Sequence, residues 1–270
     1  MNDLVYLNGN RLAYELPLRT LFYGEGVFET FRYRSAMPVH FDKHIERLEE
    51  GANVLQLDMP EKGYIVSLIE KAVRESELSD LYVKFCILSH GNTLFYEKSE
   101  GIQTLIMIKE YFKPKDSIRA CVCSFPKNSQ SPVVRIKSFN YLENIIARRE
   151  AAERGFDEVV FFNEEKKVTE GGAGNIFWYK GGMLHTPSVG CGLLPGTTRE
   201  IVMEISRGLD MEIIEGEYSL EDLIDSDFAF FTNSLIGSVP ISQIDNRMIP
   251  VDNPKYGEIE IALYEALGWK

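Results

Sequence analysis

A polar break close to the middle of this chain sets how many hydrophobic cores it can form. Between residues 111 and 117 the sequence turns polar and contains Pro114, a composition typical of the connection between two folding units. The 270 residues, 44% of them hydrophobic, can supply either one large core or two smaller ones. We therefore expect a small domain over residues 1–115 and a larger domain over residues 116–270.

Short apolar runs alternate with helical patterns before the break. Residues 4–7 and 12–14 flank Asn8-Gly9, and this step predicts a hairpin because both turn positions require a positive φ. Asp42 can cap a helix with an apolar stripe on one face. The stripe consists of Ile45, Leu48, Ala52 and Leu55. Further patterns predict a strand pair at 27–33 and 39–41, a helix at 64–75, and strands at 82–88 and 102–108.

The segment after the break alternates in the same way. Strands are predicted at 133–137, 159–162, 176–179, 183–185 and 228–231, and helices at 141–154, 198–207, 220–224 and 256–267. A mixed α+β or α/β fold in two domains accommodates both halves of the chain.

The charge and composition argue against several classes of partner. The net charge of −12, without any Lys/Arg-rich run, gives no basic surface for a nucleic acid. No apolar stretch reaches the roughly 20 residues that cross a bilayer, and Met1-Asn2-Asp3 does not resemble the start of a secretory signal. We expect a cytoplasmic protein whose four cysteines are reduced.

Lys137 ends the apolar run 133–137 and is followed at once by a helical pattern. Asn140 with Glu143 three residues later resembles a capping box, and Gly155 is placed to end the helix. A lysine between a strand end and a helix N-terminus is partly buried and close to positive charge, which favours the neutral amine that attacks carbonyl groups. An exposed lysine at a strand end is the plain alternative.

Three further segments carry polar groups at places where ligands bind. The glycine-rich turn within 168–177 lets a backbone approach a ligand closely and can place Glu170 beside it. Thr197 with Glu200 forms a second capping-box pattern at a helix start, where free amides attract anions. Residues 232–235 follow an apolar strand. Taken alone, each segment is more simply explained as an ordinary loop, cap or turn.

His40 and His44 stand at helical spacing with Asp42 between them, a pattern that can resemble part of a metal site. No convincing third ligand accompanies the two histidines. We expect a structural role for both and no bound metal, and a metal hydrolase is the remote alternative.

Together and in this order, the segments resemble the fold-type IV pyridoxal-phosphate enzymes, the class IV aminotransferase family. That family contains branched-chain and D-amino acid aminotransferases and aminodeoxychorismate lyases. The resemblance covers almost the whole chain, through residues 22–30, 44–48, 137–140, 168–177, 194–199 and 232–235. It implies a D-amino acid aminotransferase-like fold with a small and a larger domain, pyridoxal 5'-phosphate in the cleft between them, and a homodimer that completes each site.

The resemblance also implies roles for individual residues. Lys137 would form the Schiff base with the cofactor and then carry the proton between the substrate Cα and C4′. Glu170 would pair with the protonated pyridine nitrogen and so keep the ring an effective electron sink. Tyr141 would contact the phenolic oxygen, although it lies one residue nearer to the lysine than in the branched-chain subgroup. The phosphate would be held by Arg47, Thr197, Thr198 and Ser234.

The substrate pocket departs from the pattern of the well-studied members. Residues 89–96 contain no arginine, whereas the corresponding loop of the family normally supplies one to the substrate carboxylate. Backbone amides near Ser234 and Leu235, or a tyrosine, are expected to hold the carboxylate instead. The candidates for the pocket are Tyr23, Phe28, Thr30, His90 and Leu235.

The resemblance leaves two activities open. Tyr141 and residues 197–200 favour an aminotransferase that exchanges the amino group between a branched-chain or D-amino acid and a 2-oxo acid. Residues 175–181 and 233–235 are more similar to aminodeoxychorismate lyase, which makes 4-aminobenzoate and pyruvate. We take the aminotransferase as the expected function and the lyase as the alternative. The presence of Lys137 and Glu170 argues against a descendant that has lost catalysis.

Overall fold

A computed structural model describes residues 6–7, 10–11 and 16–270 of the chain. Strand β1 (Tyr6–Leu7) pairs antiparallel with β2 (Asn10–Arg11), which confirms the pairing expected of the N-terminal hairpin. Its Asn8-Gly9 turn and residues 12–14 lie outside the described residues.

A three-stranded antiparallel sheet of described residues forms the first half of the chain, in the order β3-β4-β5. Its strands and helices are α1 (Leu18–Tyr23), β3 (Gly26–Arg34), α2 (Phe41–Val54), α3 (Lys62–Ser76), β4 (Asp80–His90) and β5 (Gly101–Glu110). One face of the sheet, with Phe31 and Phe85, packs against Leu48 of α2 and Ile65 of α3. Because side chains alternate along a strand, Phe28 and Cys86 lie on the opposite face, where Phe139 and Tyr141 from the second half cover them.

The strand predicted at 39–41 is wrong, and so is the cap assigned to Asp42. The partner of β3 is β4 along its whole length, from Gly26 opposite Leu88 to Arg34 opposite Asp80. Residues after Pro38 turn directly into α2, because the Phe41 N–H donates to the Pro38 carbonyl at 3.0 Å. The cap position is His40, and Asp42 lies in the first turn. An apolar residue stands at position 41 because the Phe41 ring packs against Phe31, with 5.5 Å between the ring centroids.

A nine-stranded sheet of described residues forms the second half, in the order β11-β10-β9-β12-β13-β6-β7-β8 with β14 beside β13. Its strands are β6 (Ile118–Val122), β7 (Glu158–Phe162), β8 (Val168–Gly171), β9 (Asn175–Lys180), β10 (Met183–Pro187), β11 (Ile213–Gly216), β12 (Phe228–Asn233), β13 (Gly237–Ile244) and β14 (Arg247–Met248). The helices around it are α4 (Leu142–Glu153), α5 (Thr197–Gly208), α6 (Leu220–Ile224) and α7 (Pro254–Ala266).

Both faces of the larger sheet are covered, so its central strands are apolar throughout. In β12, Phe228 and Phe230 pack with Ile201 of α5 and Ile259 of α7, whereas Phe231 points to the other face, where it shares a core with residues of β6 to β9 and β13. Helix α4 packs against β6 and β7 through Ala147 and Ala151, and these residues form a separate core. Continuous apolar runs are what buried strands of this kind require.

Three expectations around the helices of the second half need correction. Residues 133–137 form turns rather than a strand, with the Val134 N–H donating to the Ser131 carbonyl at 3.2 Å. Helix α4 is capped at Tyr141 without a side-chain bond, since the Asn140 side chain contacts Gly24 instead. Helix α5 is capped at Gly196, not Thr197. Gly155 does end α4, with a φ of 79°.

The four cysteines are free and buried in the described part of the chain, as expected. No helix among the described residues is long and apolar enough to cross a bilayer. The smaller sheet ends at Glu110 and the larger sheet begins at Ile118. On that ground we propose the division near residue 115 as the domain boundary.

Candidate active site

The free edge of β3 joins the two halves of the chain and fixes the position of Lys137. The N–H of Phe28 donates to the Lys137 carbonyl at 2.9 Å, and the N–H of Phe139 donates to the Gly26 carbonyl at 3.1 Å. These bonds form a short antiparallel bridge centred on Val27 and Ser138. Lys137 therefore lies against the sheet of the first half although it belongs to the second.

The surroundings of Lys137 favour its neutral amine. Burial and, after it, the Arg47 guanidinium lower the pKa of Lys137 from 10.5 to about 8, against the opposing effects of the Glu29 and Glu170 carboxylates. The ammonium nitrogen lies 4.8 Å from the Phe28 ring centroid. An amine of lowered pKa is the form of lysine that attacks a carbonyl group.

Arg47 is held by a buried carboxylate that the sequence had not suggested. Its Nε and Nη2 both donate to Glu29 at 2.7 Å, and its Nη1 donates to the Pro195 carbonyl at 3.2 Å. His44 Nδ1 lies 2.7 Å from the same carboxylate. Burial opposes the charge of Glu29, yet Arg47 and His44 more than compensate and lower its pKa from 4.5 to about 2. Two of the five guanidinium N–H groups remain for an anion.

Glu170 lies in β8 and is buried. One carboxylate oxygen accepts from the Lys127 ammonium, and the other accepts from the Leu194 N–H at 3.2 Å. Each carboxylate oxygen has two lone-pair sites, so the group can accept a further hydrogen bond. The carboxylate is thus fixed in orientation before any ligand contacts it.

Three of the four predicted phosphate-binding residues line one small cavity. Thr197 and Thr198, at the start of α5, line it together with Ser234 and His44. The Ser234 hydroxyl donates to the Thr30 carbonyl at 2.5 Å, and the N–H of Arg32 donates to the Ser234 carbonyl at 3.3 Å. Ser234 therefore also attaches the second half of the chain to the free edge of β3. Arg47 reaches the same helix start through the carbonyl of Pro195 rather than through the cavity wall.

Tyr141 and the glycine-rich turn are bound to one another. The Tyr141 hydroxyl donates to the Gly172 carbonyl at 3.3 Å, and the Gly172 N–H donates to Glu158 at 3.1 Å. Burial and, after it, the Glu170 charge raise the pKa of Tyr141 from 10.0 to about 12. A side chain at Gly174 would meet the Thr232 carbonyl oxygen at 2.6 Å, which explains why this turn needs glycine.

The candidates for the substrate pocket do not all meet. Phe28 lies against Lys137. Thr30, two residues further along β3 on the same face, is buried. Tyr23 is 41% exposed and donates to the Thr93 carbonyl at 2.5 Å, away from Lys137. The Leu235 N–H, expected to hold a carboxylate, donates to the Asn233 side chain at 2.9 Å. His90 is the last residue of β4.

Lys84 places a cation beside Phe28, on the sheet face that Lys137 also contacts. Its ammonium lies 3.8 Å from the Phe28 ring centroid and 5.3 Å from that of Phe139. Burial lowers the pKa of Lys84, and neighbouring Lys109 adds to the effect. Lys84 is close enough to Lys137 to lower the pKa of that lysine as well.

Residues 26–244 match the family model described as amino-transferase class IV. The chain belongs to this family. It is 31% identical over 257 residues to the aminodeoxychorismate lyase of Bacillus subtilis (strain 168), with 90% of this chain and 87% of the relative covered. It is 27% identical over 261 residues to the D-alanine aminotransferase of Listeria monocytogenes serotype 4b (strain F2365), with 90% and 86% covered.

A solved structure of the class IV aminotransferase family has the same fold. The crystal structure of the branched-chain aminotransferase from Thermoproteus uzoniensis with norvaline matches with a TM-score of 0.85 and 29% identity, covering 98% of this chain and 95% of that one. The expected fold-type IV architecture is confirmed. Family members use pyridoxal phosphate.

The residues present fit that cofactor by their own chemistry. Lys137 is an amine of lowered pKa, Glu170 is a buried carboxylate with accepting capacity left, and Arg47 retains two N–H groups for an anion. An aldehyde, a ring nitrogen and a phosphate are the three groups that such residues bind. In the described part of the chain no group of three or more metal-ligating side chains is present.

Three residues of the site escaped the sequence analysis: Glu29, Lys84 and Lys127. For Glu29 a signal was present, because position 29 shares the buried strand face of Val27 and Phe31, where an isolated carboxylate needs cation partners. Lys84 gave no such signal, because it lies on the opposite face of β4 from the core residues Val83 and Phe85. Lys127 lies in the irregular polar segment 125–132, where no period indicates which side chain is buried.

We expect Glu29→Gln to destabilise the protein in a pH-dependent way. The folded-state pKa of about 2 lies below the ordinary 4.5, so the ionised carboxylate stabilises the fold above pH 4.5, and the stabilisation is lost as the pH falls from 4.5 towards 2. Denaturant unfolding near neutral pH should show a loss of about 3 kcal/mol. The difference from the parent protein should shrink as the pH approaches 3. A constant difference would contradict the assignment, and Glu46→Gln, at an exposed position of α2, the helix that carries Arg47, is the control.

Proposed function

We propose that this chain is a pyridoxal-phosphate-dependent aminotransferase with Lys137 as its catalytic lysine. The observation that carries the proposal is a buried lysine of lowered pKa whose charged neighbours include a guanidinium with N–H groups left for an anion and a buried carboxylate. The three groups match the aldehyde, phosphate and ring nitrogen of one cofactor molecule. The named relatives at 31% and 27% identity support the class of chemistry without separating its members.

When bound, the cofactor supplies a cationic ring that accepts the electron pair released when the substrate Cα loses a proton. Lys137 anchors it and then takes and returns that proton, since an amine of pKa about 8 is close to the working pH. Glu170 holds the ring nitrogen. Arg47, with Thr197 and Thr198 at the helix start, holds the phosphate.

Lys84 is our candidate for the substrate carboxylate. Its ammonium lies on the face of the small sheet that carries Phe28, which also contacts Lys137. The Leu235 amide is already bound to Asn233, so a cation is the better partner for a carboxylate here. The aromatic rings around it bind apolar side chains, which suits an amino acid such as a branched-chain one.

The lyase is the second candidate, and one comparison favours it. The aminodeoxychorismate lyase of Bacillus subtilis covers 90% of this chain at 31% identity, and residues 233–235 are more similar to that subgroup. Both activities begin with proton removal at Cα by Lys137. They differ in whether the amino group leaves with the cofactor or a substrate bond is eliminated.

The first prediction concerns the anchor. The purified protein should carry a yellow chromophore, which borohydride fixes covalently onto Lys137, and Lys137→Ala should abolish both. Peptide mapping of the reduced protein provides the measurement. In cofactor-free protein, attachment should become faster as the pH rises through about 8, where the free amine forms. A label on Lys84 or Lys127 would refute the assignment.

The second prediction concerns the reaction. An amino acid alone should convert the bound aldehyde form to the amine form, and a 2-oxo acid such as pyruvate or 2-oxoglutarate should restore it. A panel of L- and D-amino acids, followed by absorbance, determines the handedness. Lys84→Met should raise the amino acid concentration needed for half conversion about tenfold or more, because a charged hydrogen bond contributes roughly 1.5–3 kcal/mol.

The contrary result is equally specific. If no amino acid changes the spectrum while aminodeoxychorismate yields pyruvate and 4-aminobenzoate, the lyase replaces the aminotransferase. If Lys84→Met leaves the half-conversion concentration unchanged, the carboxylate is bound elsewhere. Lys113→Met, at an exposed position far along the chain, serves as the matched control.

We also propose that the chain forms a homodimer through an exposed apolar surface beside the site. This surface consists of Leu21, Phe22, Tyr23, Phe95 and Tyr96, of which Phe95 is 75% and Tyr96 71% exposed. The rings of Tyr23 and Phe95 pack edge to face at 6.5 Å. Buried Arg19 supports the loop below by donating to the carbonyls of Asn92, Leu94 and Glu97. A contiguous exposed patch of this kind marks an interface.

The third prediction tests this surface. Phe95→Asp should convert a dimer to a monomer, measured by light scattering on a sizing column, because a carboxylate would be buried without a partner. Phe112 is as exposed, at 77%, but follows the far end of β5, roughly 30 Å away along the strand. Phe112→Asp should leave the dimer intact. A Phe95→Asp protein with the mass of the parent would locate the interface elsewhere.

A further inference from the structure

Lys127 is a buried cation that pairs with the Glu170 carboxylate. Its side chain is only 5% exposed, and its ammonium donates to Glu170. The ammonium also lies 4.5 Å from the Phe161 ring centroid. The Lys127 backbone is fixed, because its N–H donates to the Phe162 carbonyl at 2.8 Å.

A buried ion pair of this kind is costly to build. Taking both charges out of water is offset only by their mutual attraction and by good hydrogen bonds, and an apolar pair is often as stable. Structural stability alone therefore gives little reason for a lysine here. The partner, Glu170, can still accept a hydrogen bond from a ligand, and this suggests a functional reason for the lysine.

We propose that Lys127 is a positioning residue that keeps the shared proton on the ring nitrogen of the cofactor rather than on Glu170. This inference rests on the proposed function, in which Glu170 binds that nitrogen. A single proton between a carboxylate and a pyridine nitrogen can reside on either one. Which group carries it sets how well the ring accepts electrons.

The sign of the effect follows from distance. Lys127 contacts the carboxylate directly, so any group bound at another side of Glu170 lies farther from the ammonium. A positive charge disfavours protonation of the nearer group more strongly. Lys127 therefore makes Glu170 the poorer base of the two, and the proton moves to the ring. With charges roughly 3 and 7 Å away and an effective dielectric near 20, the partition changes on the order of 100-fold.

The Leu194 N–H acts in the same direction. It donates to the second oxygen of Glu170 at 3.2 Å and, like the ammonium, stabilises the ionised carboxylate. Lys127 and Leu194 reach Glu170 from different segments of the chain, one before β7 and one before α5. Together they fix the orientation of the carboxylate plane.

Nuclear magnetic resonance of protein loaded with ring-¹⁵N cofactor tests the proposal. In the parent protein the ring nitrogen should have the shift of the protonated form. Lys127→Met should move it most of the way to the unprotonated value, while Lys127→Arg, which keeps the charge, should restore the parental shift. Lys113→Met is the exposed control. A parental shift in Lys127→Met would overturn the proposal, and Lys127→Gln replaces it should the methionine variant not fold.

A second measurement needs no cofactor. In Lys127→Met the lone buried carboxylate favours its protonated form. As the pH rises from about 4 to 8, the unfolding free energy should therefore fall more steeply than in the parent protein. Adding Glu170→Gln should remove the extra slope. An unchanged slope in Lys127→Met counts against the proposal. Failure of the proposed function looks different, because the parent protein would then bind no cofactor at Lys137 at all.

Discussion

The free edge of β3 is the constraint on which the site depends. Along this one strand, the backbone groups of Gly26 and Phe28 bind residues 137–139, and those of Thr30 and Arg32 bind Ser234. Alternate residues of a strand present their N–H and C=O groups to the same edge. One strand of the small sheet therefore brings Lys137 and the loop after β12 to the same place, and an edge that would otherwise be exposed is covered.

This arrangement leaves Lys137 near two buried groups of paired charges. On one side, Glu29 holds Arg47 and is itself compensated by His44. On the other side, Lys127 holds Glu170. Each buried charge has a partner, as low-dielectric surroundings require. Lys137 has none among its described contacts, and burial lowers its pKa. The site thus pairs its buried charges and leaves Lys137 with a lowered pKa.

Much of the fold could be read from the residues, because long periodic segments report their own environment. The alternating and continuous apolar runs of β4, β9 and β12 located those strands to within two or three residues, and the glycine at 155 marked the end of α4. The errors fall where a tertiary contact overrides a local pattern. Asn140 contacts Gly24 instead of capping α4, and Gly196 precedes α5 because the Asn175 side chain leaves no room for a Cβ there.

The sequence alone determined the family, since an ordered set of segments carries that information, and with it the choice of Lys137, Glu170 and Arg47. Their roles stay predictions. Only the tertiary structure decided which charges compensate these residues, because Glu29, Lys84 and Lys127 reach the site from strands and loops far apart in the chain. Burial and Coulomb interactions act through space. A pattern along the chain indicates on which face of a strand or helix a side chain lies, but not which residue of another segment contacts it.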